Sequence, residues 1–129
     1  RLIVDPEFFE KQMKFLREHN YNCVYVYEIA ELIKNKRRIP PKTVAVTFDD
    51  AYDNNYTEVF PILKKYNIPA TIFVITNYIN KSGYMTLEQI KLISDQGVDI
   101  GSHTQSHLWL PNTDDLKNGA KKLSDQKRY

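Results

Sequence analysis

The chain has 129 residues, 42% hydrophobic and 26% charged, which places it among ordinary globular proteins with room for one domain and a packed core. A formal charge of +2 is too mild for the strongly basic face of a nucleic-acid binder, and no stretch approaches the ~18 apolar residues of a membrane span. Cys23 is the single cysteine, so an intrachain disulfide is excluded, and its apolar neighbours Val24, Tyr25 and Val26 mark it as a core residue rather than a reactive thiol.

In chain order, Asp5-Pro6 reads as an N-cap followed by proline at the first helical position, and Phe9, Met13 and Leu16 then recur at helical spacing as far as His19-Asn20. Cys23 to Val26 predicts a short strand. Ile29, Leu32 and Ile33 mark a second helix that ends in the basic loop Lys34 to Lys42, where Lys36, Arg37 and Arg38 read as solvated charges at a helix C-terminus. Thr43 to Phe48 is β-branched, aromatic and nearly continuous in apolar character, the pattern of a parallel strand buried on both faces. Val59, Ile62, Leu63 and Tyr66 form the next helical stripe, in which Pro61 requires a start close by or a kink. Ala70 to Ile75 repeats the buried-strand pattern. Thr86 and Gln89 form a capping box for a helix carrying Leu87, Ile90, Leu92 and Ile93; Gly97 stops it before a strand over Val98 to Ser102, and a polar helix is expected over Thr113 to Lys127. Strands alternating with helices over short connections predict an α/β fold on a parallel sheet.

Two motifs then fall at carboxyl ends of predicted strands, where α/β folds place their chemistry. Asp49-Asp50 follows the strand Thr43 to Phe48, and His103, with His107 four residues on, follows Val98 to Ser102. A helical turn or tight helical loop would point both imidazoles the same way. One carboxylate and two imidazoles suit a divalent metal such as zinc and leave a coordination position open, as catalytic sites require. Neighbours in extended chain point to opposite sides, so one aspartate should bind metal and the other act on water; Asp49 is the candidate base. The histidine spacing also occurs in zinc proteases of the His-Glu-x-x-His type, but Thr104 stands where their glutamate would be. A calcium loop starting at Asp49 lacks the central glycine and closing glutamate. Taken singly, an Asp-Asp pair is usually a turn or cap and a His-x-x-x-His a surface pair; it is their joint placement that points to a site.

The segments Val44-Ala45-Val46-Thr47-Phe48-Asp49-Asp50 and Ile100-Gly101-Ser102-His103-Thr104-Gln105-Ser106-His107 resemble the first two motifs of the polysaccharide deacetylases, the NodB-homology or carbohydrate esterase family 4 domain. Asn67-Ile68-Pro69-Ala70-Thr71-Ile72-Phe73-Val74 is similar to the family's second core strand, and the entry segment Pro6 to Met13 resembles the poly-N-acetylglucosamine deacetylase branch. The resemblance implies a portion of an irregular (β/α) barrel over residues 1–129, incomplete at its C-terminus. It implies a divalent metal, usually zinc, on Asp50, His103 and His107, with Asp49 as catalytic base. The implied activity is hydrolysis of N-acetyl groups from an N-acetylglucosamine-containing polysaccharide, at an extracellular or cell-surface location. The family commonly has glycine after the Asp-Asp pair, where this chain has Ala51. Its later motifs, with a base-orienting arginine and a general-acid histidine, would lie beyond Tyr129. A carbohydrate-binding or structural relative that keeps the metal site without turnover is the alternative. Tyr52 and Trp109, close to the two motifs, are candidate sugar contacts, with ordinary packing the competing reading for each.

Overall fold

The computed structural model describes residues 5–108. Four parallel strands, β1 (Asn22–Val24), β2 (Thr43–Asp50), β3 (Ala70–Val74) and β4 (Asp99–Ser102), lie side by side in chain order. The helices α1 (Pro6–Glu18), α2 (Val26–Lys34), α3 (Phe60–Tyr66) and α4 (Leu87–Asp95) precede or connect them. Since parallel crossovers are right-handed, an order that never reverses keeps the connecting helices on one side, as in a barrel rather than a doubly wound sheet. The sheet is accordingly a curled half-barrel. The expected polar helix over Thr113 to Lys127 lies outside the described residues.

Local chemistry explains where the elements start and stop. The Asp5 carboxylate accepts from the Glu7 and Phe8 amides at 2.9 and 3.3 Å, capping α1. The predicted strand Cys23 to Val26 is displaced: it runs from Asn22 to Val24, and Val26 opens α2 instead. The reason is the Glu28 carboxylate, which accepts from the Tyr25 amide at 2.8 Å and so caps the helix start within a β-prone run. Around Pro61 the chain forms a π-helical turn, Asn55–Val59, with the Phe60 amide bonding back to the Asn55 carbonyl. Proline supplies no amide and crowds the carbonyl four residues before it, and the widened turn upstream accommodates both. At α4 the Thr86–Gln89 capping box forms in both directions, at 2.8 and 3.2 Å. Gly97, at φ +93°, closes α4: its amide bonds Ser94 and the Val98 amide bonds Ile93, each at 3.0 Å.

Burial is one-sided on β2. Thr43 to Phe48 was expected to be covered on both faces, yet Thr47 and Asp49 are exposed, while Val46 and Phe48 pack beneath the helices. The strand also runs two residues further, to include the acidic pair. Only the central strand β3 is almost wholly buried. Two apolar clusters share Phe48: one holds Phe9, Met13, Leu63 and Ile68 under α1 and α3, the other Ile72, Met85, Ile90 and Ile93 around α4. Phe9 meets Phe48 edge-on at 5.6 Å between ring centroids. Ile72, Met85 and Ile93 are fully buried, each stabilising the fold by about 1.5–3 kcal/mol. The sheet register sets Thr47, Thr71 and Asp99 in one row and Asp49, Phe73 and Gly101 in the next, on the face opposite Phe48 and Ile72. Among the described residues no helix is long and apolar enough to cross a membrane.

Candidate metal centre

The carboxyl end of β2 is where regular extension stops. Asp50 and Ala51 both take left-handed backbone angles, φ +72° and +58°, so the chain turns sharply at the second aspartate. Outside glycine such angles are uncommon and each costs of order 1 kcal/mol or more. At Ala51, where the family commonly has glycine, the surroundings hold the turn: the residue is buried against the cluster around Ile72, and its carbonyl accepts from the Met85 amide at 3.0 Å.

The histidine loop is fastened to the end of β3 next door. The His103 amide donates to the Val74 carbonyl at 2.8 Å, the Thr76 amide to Thr104 at 3.3 Å and the Asn77 amide to Gln105 at 2.9 Å. Thr104 and His107 are left-handed at φ +66° and +56°, so this segment is a tight non-helical turn rather than a turn of α-helix. It nonetheless brings the imidazoles together, 5.1 Å apart between ring centroids.

The three side chains converge on one oxygen. The Nε2 atoms of His103 and His107 each stand 3.4 Å from Asp50 Oδ1, and one donor atom from each residue lies within 4.8 Å of the others. Charge-assisted hydrogen bonds are shorter, about 2.7–2.9 Å. Oδ1 is buried and takes no hydrogen bond, a costly state for a carboxylate oxygen without a cation. Zinc bound tetrahedrally by nitrogen and oxygen at about 2.0–2.2 Å separates its donors by about 3.3–3.6 Å. The residues therefore fit a divalent cation in donor type, in number and in spacing. Asp49, one residue earlier, is exposed on the face opposite Phe48.

The other residues of interest are distributed as follows. Tyr52 is half-buried, its ring stacked on Tyr84 at 5.0 Å and its hydroxyl hydrogen-bonded to the Asp50 carboxylate. That bond, together with burial, raises the Tyr52 hydroxyl above the ordinary tyrosine range. Tyr84 escaped sequence reasoning because no local pattern links it to a residue a whole helical connection away. Trp109 lies outside the described residues. His19 caps the far end of α1, stacked on Phe15 at 3.9 Å, away from this rim. Cys23 is half-buried on β1, and burial pushes its thiol up, away from reactivity.

A parallel half-barrel with a carboxylate–bis-imidazole cluster at its strand ends belongs with the NodB-like hydrolases. The chain is a member of the polysaccharide deacetylase family, whose model matches residues 36–128. It is 38% identical over 109 residues to YxkH, a Bacillus subtilis protein that bears the polysaccharide deacetylase name, covering 84% of this chain and 39% of that protein. It is 37% identical over 87 residues to poly-β-1,6-N-acetyl-D-glucosamine N-deacetylase of Staphylococcus aureus, covering 67% and 30%. Among solved structures it matches the Streptococcus pyogenes deacetylase PplD in complex with acetate at a TM-score of 0.77 and 32% identity, covering 84% of this chain and 49% of that one. IcaB from Ammonifex degensii matches at a TM-score of 0.74 and 28% identity, covering 92% and 58%. The chain thus spans between 30% and 58% of the length of these relatives.

Proposed function

We propose that the intact protein is a metal-dependent deacetylase that hydrolyses N-acetyl groups of an N-acetylglucosamine-containing polysaccharide. Water adds to the acetamide carbon, the C–N bond breaks, and acetate and a free amine leave. The observation that carries this reading is the convergence of Asp50, His103 and His107 beside an exposed Asp49. Family membership, the staphylococcal poly-N-acetylglucosamine deacetylase among the relatives and the acetate bound by the streptococcal deacetylase PplD support it.

Each residue has a distinct part. Asp50, His103 and His107 would hold the divalent ion, zinc first by donor type. Such an ion, when bound, acidifies water and polarises a carbonyl oxygen. Asp49, open to solvent, accepts the proton of the attacking water. Asp49 shares a row with Phe73 and Gly101, two residues before His103, and the left-handed turn at Asp50 is what gives the second aspartate a direction of its own. A polymeric substrate of this chemistry belongs to the cell surface or the extracellular space, where we place the enzyme.

The test is acetate release from a panel of N-acetylglucosamine polymers by the intact protein, before and after chelation. Release that stops on chelation and returns with zinc supports the reading. Release indifferent to chelation, or none from any N-acetylated polymer by the zinc-loaded protein, overturns it.

A further inference from the structure

Tyr52 sits one residue past the turn that aims Asp50, and it is clamped on both sides by a single remote segment. The Ala51 carbonyl accepts from Met85 at 3.0 Å, the Asp53 amide donates to Gly83 at 3.1 Å, and Tyr52 itself bridges Tyr84 in antiparallel fashion. The rings repeat this grip, for Tyr84 stacks on Tyr52 at 5.0 Å and meets Tyr78 edge-on at 4.9 Å. Two tyrosines thus buttress the ring whose hydroxyl bonds the Asp50 carboxylate. Asp50 Oδ1, the oxygen that faces both imidazoles, takes no hydrogen bond, so the hydroxyl engages the carboxylate's other oxygen. The two oxygens therefore have separate duties.

We propose that Tyr52 is the positioning residue of the metal centre: its hydroxyl, held by the Tyr84–Tyr78 stack, fixes the Asp50 carboxylate so that Oδ1 is presented to the cation shared with His103 and His107. This rests on the metal-site reading above and adds a part that the sequence motifs do not contain. A carboxylate free to rotate about its last torsion would offer either oxygen or both, and would lose rotational freedom on binding. A hydroxyl donor on the far oxygen removes that freedom beforehand, and outer partners of this kind are commonly worth 10- to 100-fold in metal affinity.

The experiment compares wild type, Tyr52→Phe and Asp50→Ala in the intact protein, reading zinc affinity by chelator competition and the unfolding temperature of the metal-free protein. Tyr52→Phe keeps the ring and its stack. The expected result is zinc binding weakened about 10- to 100-fold in Tyr52→Phe with the metal-free unfolding temperature unchanged, and far greater loss in Asp50→Ala. Unchanged zinc affinity in Tyr52→Phe beside lost affinity in Asp50→Ala overturns the role of Tyr52 and leaves the metal site standing. Full affinity in Asp50→Ala overturns the metal site itself. A Tyr52→Phe protein that melts early in the absence of metal places the hydroxyl in the fold, and that too overturns the proposal.

Discussion

The ring of Phe73 lies so tightly across Gly101 that a Cβ built on the glycine would stand 2.5 Å from its Cδ1 atom. The two residues are register partners on β3 and β4, and Gly101 comes two residues before His103. The missing side chain therefore sets how closely the histidine-bearing strand packs beside the row that contains Asp49.

Gly101→Ala should consequently destabilise the protein by about 1–3 kcal/mol, the usual range for forced overpacking. Zinc binding should weaken with it, since β4 must shift to clear the ring. Urea unfolding and chelator competition on the same sample check both; an alanine variant as stable as wild type would mean that Phe73 moves aside freely.

The ligand and base roles separate in a three-variant comparison. His103→Ala and Asp50→Ala should each abolish tight zinc binding in the intact protein, whereas Asp49→Asn should keep zinc while turnover falls by about 100-fold or more. Elemental analysis and acetate release read the two quantities independently. Asp49→Asn turning over at the wild-type rate would remove Asp49 from the chemistry.

Ala51→Gly sets two effects of similar size against each other. Glycine relieves the left-handed strain at φ +58°, of order 1 kcal/mol, but gives up a buried methyl worth about 0.8 kcal/mol and adds freedom to the unfolded chain. The expected change in unfolding free energy is within about 1 kcal/mol of zero, with zinc affinity retained. A large loss of stability would show that the methyl group, rather than the turn, governs this position.

On the opposite side of the fold, Lys65 Nζ lies 2.5 Å from Glu10 Oε1, and the Tyr66 hydroxyl donates to the same oxygen at 2.9 Å. The hydrogen bond from Lys65, then that from Tyr66, holds the Glu10 carboxyl below the ordinary glutamate range, and Glu10 in turn raises Lys65. A depressed carboxylate contributes stability above its unfolded value of 4.5 and loses it as the pH falls through the folded value. A raised lysine contributes below 10.5 and loses the contribution as the pH climbs past that. Glu10→Gln should therefore be slightly less stable than wild type near neutrality, the gap closing in acid and at high salt because Lys65 is exposed and Glu10 only half-buried. Parallel denaturation curves across pH test this, and a gap that persists in acid would assign the effect to something other than charge.

Much of this molecule was legible because local and global signals agree. The Thr86–Gln89 capping box, the Gly97 stop and the Asp5-Pro6 start each depend on neighbours within a turn, and each forms at its expected place. The two motifs likewise needed only the rule that chemistry collects at carboxyl ends of parallel strands. What could not be read depends on competing local preferences or on contacts remote in sequence. Val26 joins α2 because Glu28 captures the Tyr25 amide, a choice that β-propensity obscures. The π-turn before Pro61 answers a clash that a linear pattern does not reveal. The open face of β2 follows from helices lying on one side only, and the hold of Tyr84 on Tyr52 from a loop that returns after β3.

Asp50 closes β2 while His103 follows β4, with β3 between them, so any ion seated on both would act as a clasp across three strands. Fastening of this kind obeys mass action: the melting point would climb with free metal as RT ln(1 + [L]/Kd) and fall back under chelation. Resistance to heat would then report, without any substrate present, how full the centre is.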